Sequence, residues 1–209
     1  MKVKVCGMRN LQNINEIAAL SPDFIGFIFY EKSPRFVVEM QCNETQSIAS
    51  LPDGIKKIGV FVNESFEKIL EIANKYALNG IQLHGSETPL QCCALQDEFT
   101  VIKAFSIAEA ADFAQTVDYE GCCDYFLFDT KTPAHGGSGQ RFDWSLLDNY
   151  SGETPFFLSG GIDLDDVEAI KQIKHPKFAG VDINSCFETA PALKNVEKVR
   201  KFKSQLMNS

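Results

Sequence analysis

Eight short, mostly apolar runs recur along this 209-residue chain, and helix-like segments separate most of them. The runs cover 3–6, 23–29, 56–62, 80–84, 99–105, 125–129, 155–160 and 178–183. Runs this short predict strands, and the aromatic run 125–128 predicts one buried on both faces. Three intervening segments carry apolar stripes at helical spacing. One stripe is Leu11, Ile14, Ile17 and Ala18; a second is Phe66, Ile69, Leu70, Ala73 and Tyr76; a third is Leu193, Val196, Val199, Phe202 and Leu206. Helix starts are signed by Ser106 with Glu109 and by Thr88 with Gln91, the latter with Pro89 at the first helical position. Asp163 precedes an acidic first turn, Asp165-Asp166, which suits the helix dipole. The connections 37–49 and 143–147 are weaker as helices. Strands alternating with helices, without a linker or low-complexity break, predict an α/β fold with a parallel sheet. Eight such units over 1–209 predict a single-domain (β/α)8 TIM barrel at the low end of its size range. A doubly wound sheet would want a glycine-rich turn after its first strand, and Cys6-Gly7-Met8-Arg9-Asn10 has one glycine.

In such a barrel, function sits on the loops after the strands. The strand ends supply Cys6, Arg35, Asn63, His84, Asp129, Ser159-Gly160-Gly161 and Asp182 to Ser185. The sixth run, Tyr125-Phe126-Leu127-Phe128, stops at Asp129, and a carboxylate ending a buried strand is costly without a partner or a job. Three glycines in four residues follow, Gly136-Gly137-Ser138-Gly139, in a loop able to close over a ligand. Taken singly, each feature has a plainer reading. His84 could be a satisfied structural histidine, Arg35 a solvated loop charge, and the glycines a surface turn. Ser159-Gly160-Gly161 leads into a helix, so its amides can converge on an anion. Asn184-Ser185-Cys186 can open a short extra helix beside it, with Ser185 as cap and Glu188 three residues on. Together with Gly137 and Gly139, these turns form the candidate phosphate site.

A net charge of −8 and a pI near 4.9 argue against nucleic acid and anionic membranes as partners. An anionic ligand must therefore be held by local donors. No apolar run approaches membrane-spanning length, and the opening MKVKVCGM lacks a signal-peptide core, so the expected location is cytoplasmic. Seven cysteines include the vicinal pairs Cys92-Cys93 and Cys122-Cys123, whose spacing suits neither zinc nor an ordinary disulfide framework. Most are expected to be small buried hydrophobes, and no metal site is expected. Cys6 and Cys186 alone sit where chemistry would want them.

The segments VCGMRN (5–10), KSPRFV (32–37), GVFVNES (59–65), IQLHG (81–85), FDTKTPAHGGSGQRFDW (128–144) and FLSGGI (157–162) resemble the phosphoribosylanthranilate isomerases of tryptophan biosynthesis. The resemblance runs from first strand to last, in order. It implies an Amadori rearrangement of N-(5-phosphoribosyl)anthranilate to 1-(o-carboxyphenylamino)-1-deoxyribulose 5-phosphate. It further implies Cys6 as general base, Asp129 as general acid and Arg35 at the anthranilate end of the substrate. His84 joins Arg35 as a substrate-binding candidate. One departure stands out: where the family commonly shows Ser-Gly after strand eight, this chain has Ser185-Cys186.

The residues suit that chemistry. An acid must protonate the furanose oxygen to open the ring, and a base must then remove the C2 proton that the iminium has acidified. The ordinary thiol pKa is about 8.5, so Cys6 has to be drawn towards thiolate while Asp129 stays protonated. The aromatic strand before Asp129 would supply the apolar surroundings. No cofactor is required, and the small-molecule substrate is the expected partner of a monomer or weak homodimer. Two rivals remain. A histidine-pathway ribonucleotide isomerase runs the same rearrangement with a pair of aspartates. A catalytically silent sugar-phosphate-binding barrel would keep the phosphate site and lose the acid–base pair.

Overall fold

Strands buried on both faces need cover on each side, and this chain also removes its sheet edges by closing the sheet into a ring. The computed structural model describes residues 1–37, 45, 48–130 and 143–208. The strands are β1 (Lys2–Val5), β2 (Phe24–Ile28), β3 (Lys56–Phe61), β4 (Gly80–Leu83), β5 (Thr100–Ile107), β6 (Tyr125–Thr130), β7 (Phe156–Leu158) and β8 (Phe178–Ile183). They pair in chain order, all parallel, and β1 closes on β8 with Lys2 opposite Gly180 and Val5 opposite Ile183. The expected barrel is therefore the observed one.

The helices begin where capping chemistry allows. Asn10 accepts from the Asn13 amide at the head of α1 (Leu11–Ala18), and Ser65 accepts from Lys68 at the head of α2 (Phe66–Tyr76). The Thr88–Gln91 box is present at α3 (Pro89–Gln96). Asp163 and Asp166 cap each other ahead of a 3₁₀ turn, Leu164–Asp166, that runs into α4 (Val167–Gln172). Asn195 caps α5 (Val196–Met207). Two local expectations need correcting. Ser106 does not cap a helix: it lies inside β5, opposite Asp129, because β5 continues as far as β6 gives it a partner. The box forms three residues later, between Glu109 and Asp112, and opens the 3₁₀ run Ala110–Tyr119. Leu193 belongs to a two-stranded hairpin, β9 (Glu188–Ala190) with β10 (Leu193–Lys194), and not to the stripe of α5. The weak helix at 143–147 is a 3₁₀ segment, Trp144–Asn149, capped by Asp143. The connection 37–49 lies largely outside the described residues.

The third correction to a sequence expectation is covalent. Cys92 and Cys123 are buried thiols as expected, but Cys93 and Cys122 form a disulfide between α3 and the turn that enters β6. Their Cα atoms are 4.4 Å apart across 29 residues of sequence. Spacing along the chain gives no hint of this, since the two vicinal pairs meet only after α3 packs beside that turn.

Side chains alternate along each strand, and this period of two positions the site. Phe126, Phe128 and Phe156 face outwards into the layer between sheet and helices. Phe24, Ile58, Ile102, Ala104, Leu127 and Phe157 form a separate cluster inside the barrel. Phe24 meets Phe157 edge to face, with centroids 5.3 Å apart at 84°. This plug fills the lower barrel. Residues two or four further along the same strands, Ile28, Val60, Asp129 and Ser159 among them, rise above it to line a pocket.

Candidate active site

The pocket opens at the C-terminal ends of the strands. It gathers Cys6, Arg35, His84, Asp129, Ser159, Gly160, Gly161, Asp182, Asn184, Ser185 and Cys186, every described candidate from the strand ends except Asn63 and Ile183. Gly137, Gly139 and the 131–141 loop lie outside the described residues. Asn63 has a different job. Its side chain accepts from the Ser86 amide at 2.6 Å and its own amide donates to Glu87, so it ties two loops together.

Cys6 continues the seam of the barrel, its amide donating to Ile183 O at 3.0 Å. Its side chain is buried. Two residues earlier, and so on the same inner face, Lys4 is fully buried with Nζ 3.0 Å from Asp182 Oδ1. Burial pushes the Cys6 thiol above its ordinary pKa, against the pull of Lys4 and Lys194. The free site therefore favours thiol, where the sequence reading wanted a group already drawn to thiolate. Burial also raises Asp182, more than Lys4 lowers it, whereas Lys4 rises above an ordinary lysine despite burial because Asp182 and Cys6 face it. At 3.0 Å the geometry is that of an ion pair, and breaking one partner of such a buried pair is strongly destabilising.

Asp129 enters from β6, across the barrel from Cys6. Its Oδ1 accepts from the Thr130 amide at 2.8 Å, and its Oδ2 stands 3.5 Å from His84 Nε2. Gln82 Nε2 lies 2.8 Å from His84 Nδ1. Gln82 thus fixes the orientation of the imidazole whose other nitrogen faces Asp129. The aromatic surroundings expected for Asp129 are not there, because alternation sends Phe126 and Phe128 to the outer layer.

Arg35 is gripped by Glu188, which accepts from Nε at 2.9 Å and from Nη2 at 2.7 Å. Lys194 Nζ closes the chain, 2.6 Å from Glu188 Oε1 and 2.8 Å from Asn184 Oδ1. Burial works to raise the Glu188 carboxyl, but Arg35 and Lys194 outweigh it and hold the group below the ordinary glutamate range. Glu188 is thus no helix-capping partner of Ser185. Asn184 occupies the cap position of the 3₁₀ turn Ser185–Phe187, without a side-chain cap bond.

At the other rim, Gly160 and Gly161 adopt φ of 88° and 65°, a conformation that favours glycine. The amides of Gly160, Gly161, Ser185 and Cys186 find no protein acceptor among the described residues. They are free to meet an anion. Sequence reading missed Lys4, Gln82, Glu188 and Lys194. Counting back by two from Cys6 and from His84 would have found the first pair; the hairpin carrying the second pair left no such trace.

The model of N-(5'-phosphoribosyl)anthranilate isomerases matches residues 3–205. An isomerase of that name from Parabacteroides distasonis is 50% identical over 213 residues, covering 100% of this chain and 94% of the relative. This chain belongs to the N-(5'-phosphoribosyl)anthranilate isomerase family. The crystal structure of the isomerase from Thermotoga maritima superposes with a TM-score of 0.85 at 33% identity, covering 99% of this chain and 98% of that one. A second isomerase structure, in complex with reduced 1-(o-carboxyphenylamino)-1-deoxyribulose 5-phosphate, gives 0.81 at 30% identity, with coverage of 99% and 98%. The protein is an isomerase of tryptophan biosynthesis, and its reaction is the Amadori rearrangement of N-(5'-phosphoribosyl)anthranilate.

Within this isomerase family, Cys186 is the departure that the sequence raised. A residue forced to φ > 0 there would be strained, but Cys186 is not among the positive-φ residues and sits in an ordinary 3₁₀ turn. Glycine would only loosen that turn. Cys186→Gly is expected to lower stability by up to about 1 kcal/mol, to raise KM slightly and to leave kcat nearly unchanged. Thermal melts and steady-state kinetics check this, and a clear rise in Tm would show that the turn is strained after all.

Proposed function

We propose that Cys6 is the general base of this rearrangement and Asp129 its general acid. The observation that carries the reading is their placement at the ends of well-separated strands, β1 and β6, facing one pocket. Asp129 gives its proton to the furanose oxygen, the ring C–O bond breaks, and an iminium forms at C1. Cys6 as thiolate then takes the C2 proton; the S–H bond forms and the C–H electron pair moves into the iminium to give the enol-amine. His84, fixed by Gln82, orients Asp129 and contacts the substrate.

The phosphate is held by the amides of Gly160, Gly161, Ser185 and Cys186, with Ser159 and Asn184 beside them. Gly137 and Gly139 complete that set. Backbone amides supply the positive end that an acidic protein does not offer elsewhere. Arg35 meets the anthranilate carboxylate through Nη1, since Glu188 takes its other two nitrogens. Arg35→Lys keeps the charge but loses the planar fork, and is expected to weaken binding of the carboxylate-bearing product about tenfold or more. Inorganic phosphate should bind almost as before. Equal losses for both ligands, measured by titration calorimetry, would take Arg35 away from that end.

Residues 1–209 form one catalytic barrel domain, working as a monomer or weak homodimer. Its large exposed apolar side chains, such as Leu90 and Val117, are scattered over different elements. A cytoplasmic location follows from a phosphorylated, carboxylated substrate, which does not cross a bilayer unaided. No helix among the described residues is long and apolar enough to cross a membrane. The direct test adds N-(5'-phosphoribosyl)anthranilate and follows the loss of anthranilate fluorescence. No loss above the uncatalysed rate would overturn the reading.

A further inference from the structure

The acid–base pair leaves one buried charge unexplained. Lys4 spends a full positive charge inside the barrel, 0% exposed, where a lysine is rarely found without a reason. Asp182 pairs with it, yet such a pair often contributes no more stability than apolar residues of the same volume. The position suggests another use. Lys4 and Cys6 are alternate residues of one strand and point the same way. Both reach over Gly26 of β2: a Cβ added there would stand 2.7 Å from Cys6 Sγ and 3.2 Å from Lys4 Nζ. The thiol and the ammonium thus share the space left by one missing methyl.

We propose that Lys4 is a positioning residue of the reaction, whose ammonium, fixed by Asp182, faces Cys6 Sγ and sets the pH at which the thiol gives up its proton. The proton of the resting thiol goes to solvent. The thiolate left behind is then paired with Lys4 until it takes the C2 proton. This rests on the assignment of Cys6 as base. Burial alone holds the thiol protonated, so a buried base needs a fixed cation beside it. Asp182 acts in two opposed ways, anchoring Nζ while its own negative charge resists the thiolate. Among the described residues, the other charged or titratable groups that line this pocket are Asp129 of β6, His84 beyond β4, Tyr30, Cys186, and Arg35, which Glu188 neutralises; Lys194 of β10 lies behind it and favours the thiolate.

Opposite charge changes should move Cys6 in opposite directions, which a merely structural role would not do. The readouts are the ascending limb of kcat/KM against pH and the rate of iodoacetamide labelling at Cys6, mapped by peptide mass. In Lys4→Met both curves are expected at higher pH, with kcat/KM at pH 7 lowered about tenfold or more. In Asp182→Asn, whose amide oxygen still accepts from Lys4, both are expected at lower pH. Unmoved curves in a folded Lys4→Met protein, or movement of both variants in the same direction, overturn the proposal. If Lys4→Met does not fold, Asp182→Asn decides alone: a downward move supports the proposal and any other result overturns it. The labelling curve does not depend on turnover. A Cys6→Ser enzyme with near-normal kcat therefore removes Cys6 as base, while the labelling curves still report whether Lys4 governs the thiol.

Discussion

Asp129→Asn is expected to lower kcat by roughly 10²–10⁴-fold with little change in KM, because it removes a proton donor and leaves the shape of the site intact. Asparagine can still accept from the Thr130 amide, as Asp129 does. What it cannot do is deliver a proton to the furanose oxygen and take one back. Its folding cost should stay within about 0.5 kcal/mol, since the carboxylate is partly exposed and its histidine contact is long. Steady-state kinetics with a thermal melt separate these effects. An Asp129→Asn enzyme keeping a tenth or more of the wild-type kcat would mean that another group, or water, opens the ring.

Cys6→Ser should cut kcat by roughly 10²-fold or more for a different reason. A serine hydroxyl is nearly the size of a thiol, but it is a far weaker acid, so the charged base is almost never present. Placing Lys4 beside it cannot close that gap. KM should change little, because the base acts on the bound imine after the ring has opened. Near-normal turnover by the serine enzyme would remove the thiolate from the scheme. The two variants also differ in what they block: ring opening in one, C2 deprotonation in the other. Combining them should therefore cost less than the product of the single losses if one step already limits the rate.

Much of this was legible before any coordinates. Buried parallel strands have to be apolar on both faces, so the eight runs stand out even without periodicity, and their ends point to Cys6, His84 and Asp129. Thr88 with Gln91 is local chemistry and reads correctly from four residues. What escaped notice depends on contacts between distant segments. Glu188 follows Ser185 at capping distance, yet Arg35, 153 residues away, claims its carboxylate. Ser106 has the sequence of a cap, but its strand partner keeps it extended. Lys4 sits in a Val-Lys-Val run that looks like the ordinary alternation of a half-exposed strand, when in fact both faces are covered. The four cysteines of the two vicinal pairs show the same thing, since only packing decides which two become bonded.

The seam between β1 and β8 has a consequence for the order of events during synthesis. Lys4 and Asp182 lie 178 residues apart in sequence, and the hairpin that supplies Glu188 and Lys194 comes later still. Lys194 is then stitched to Asn13 of the first helix by two further hydrogen bonds, at 2.7 and 2.9 Å. Contacts this distant form late, because the chain between them must be ordered first. While the ribosome is still making the second half of the barrel, Lys4 has no counter-ion and Arg35 has no clamp. The nascent chain therefore carries an exposed β1 edge and a charge it cannot bury until the ring shuts.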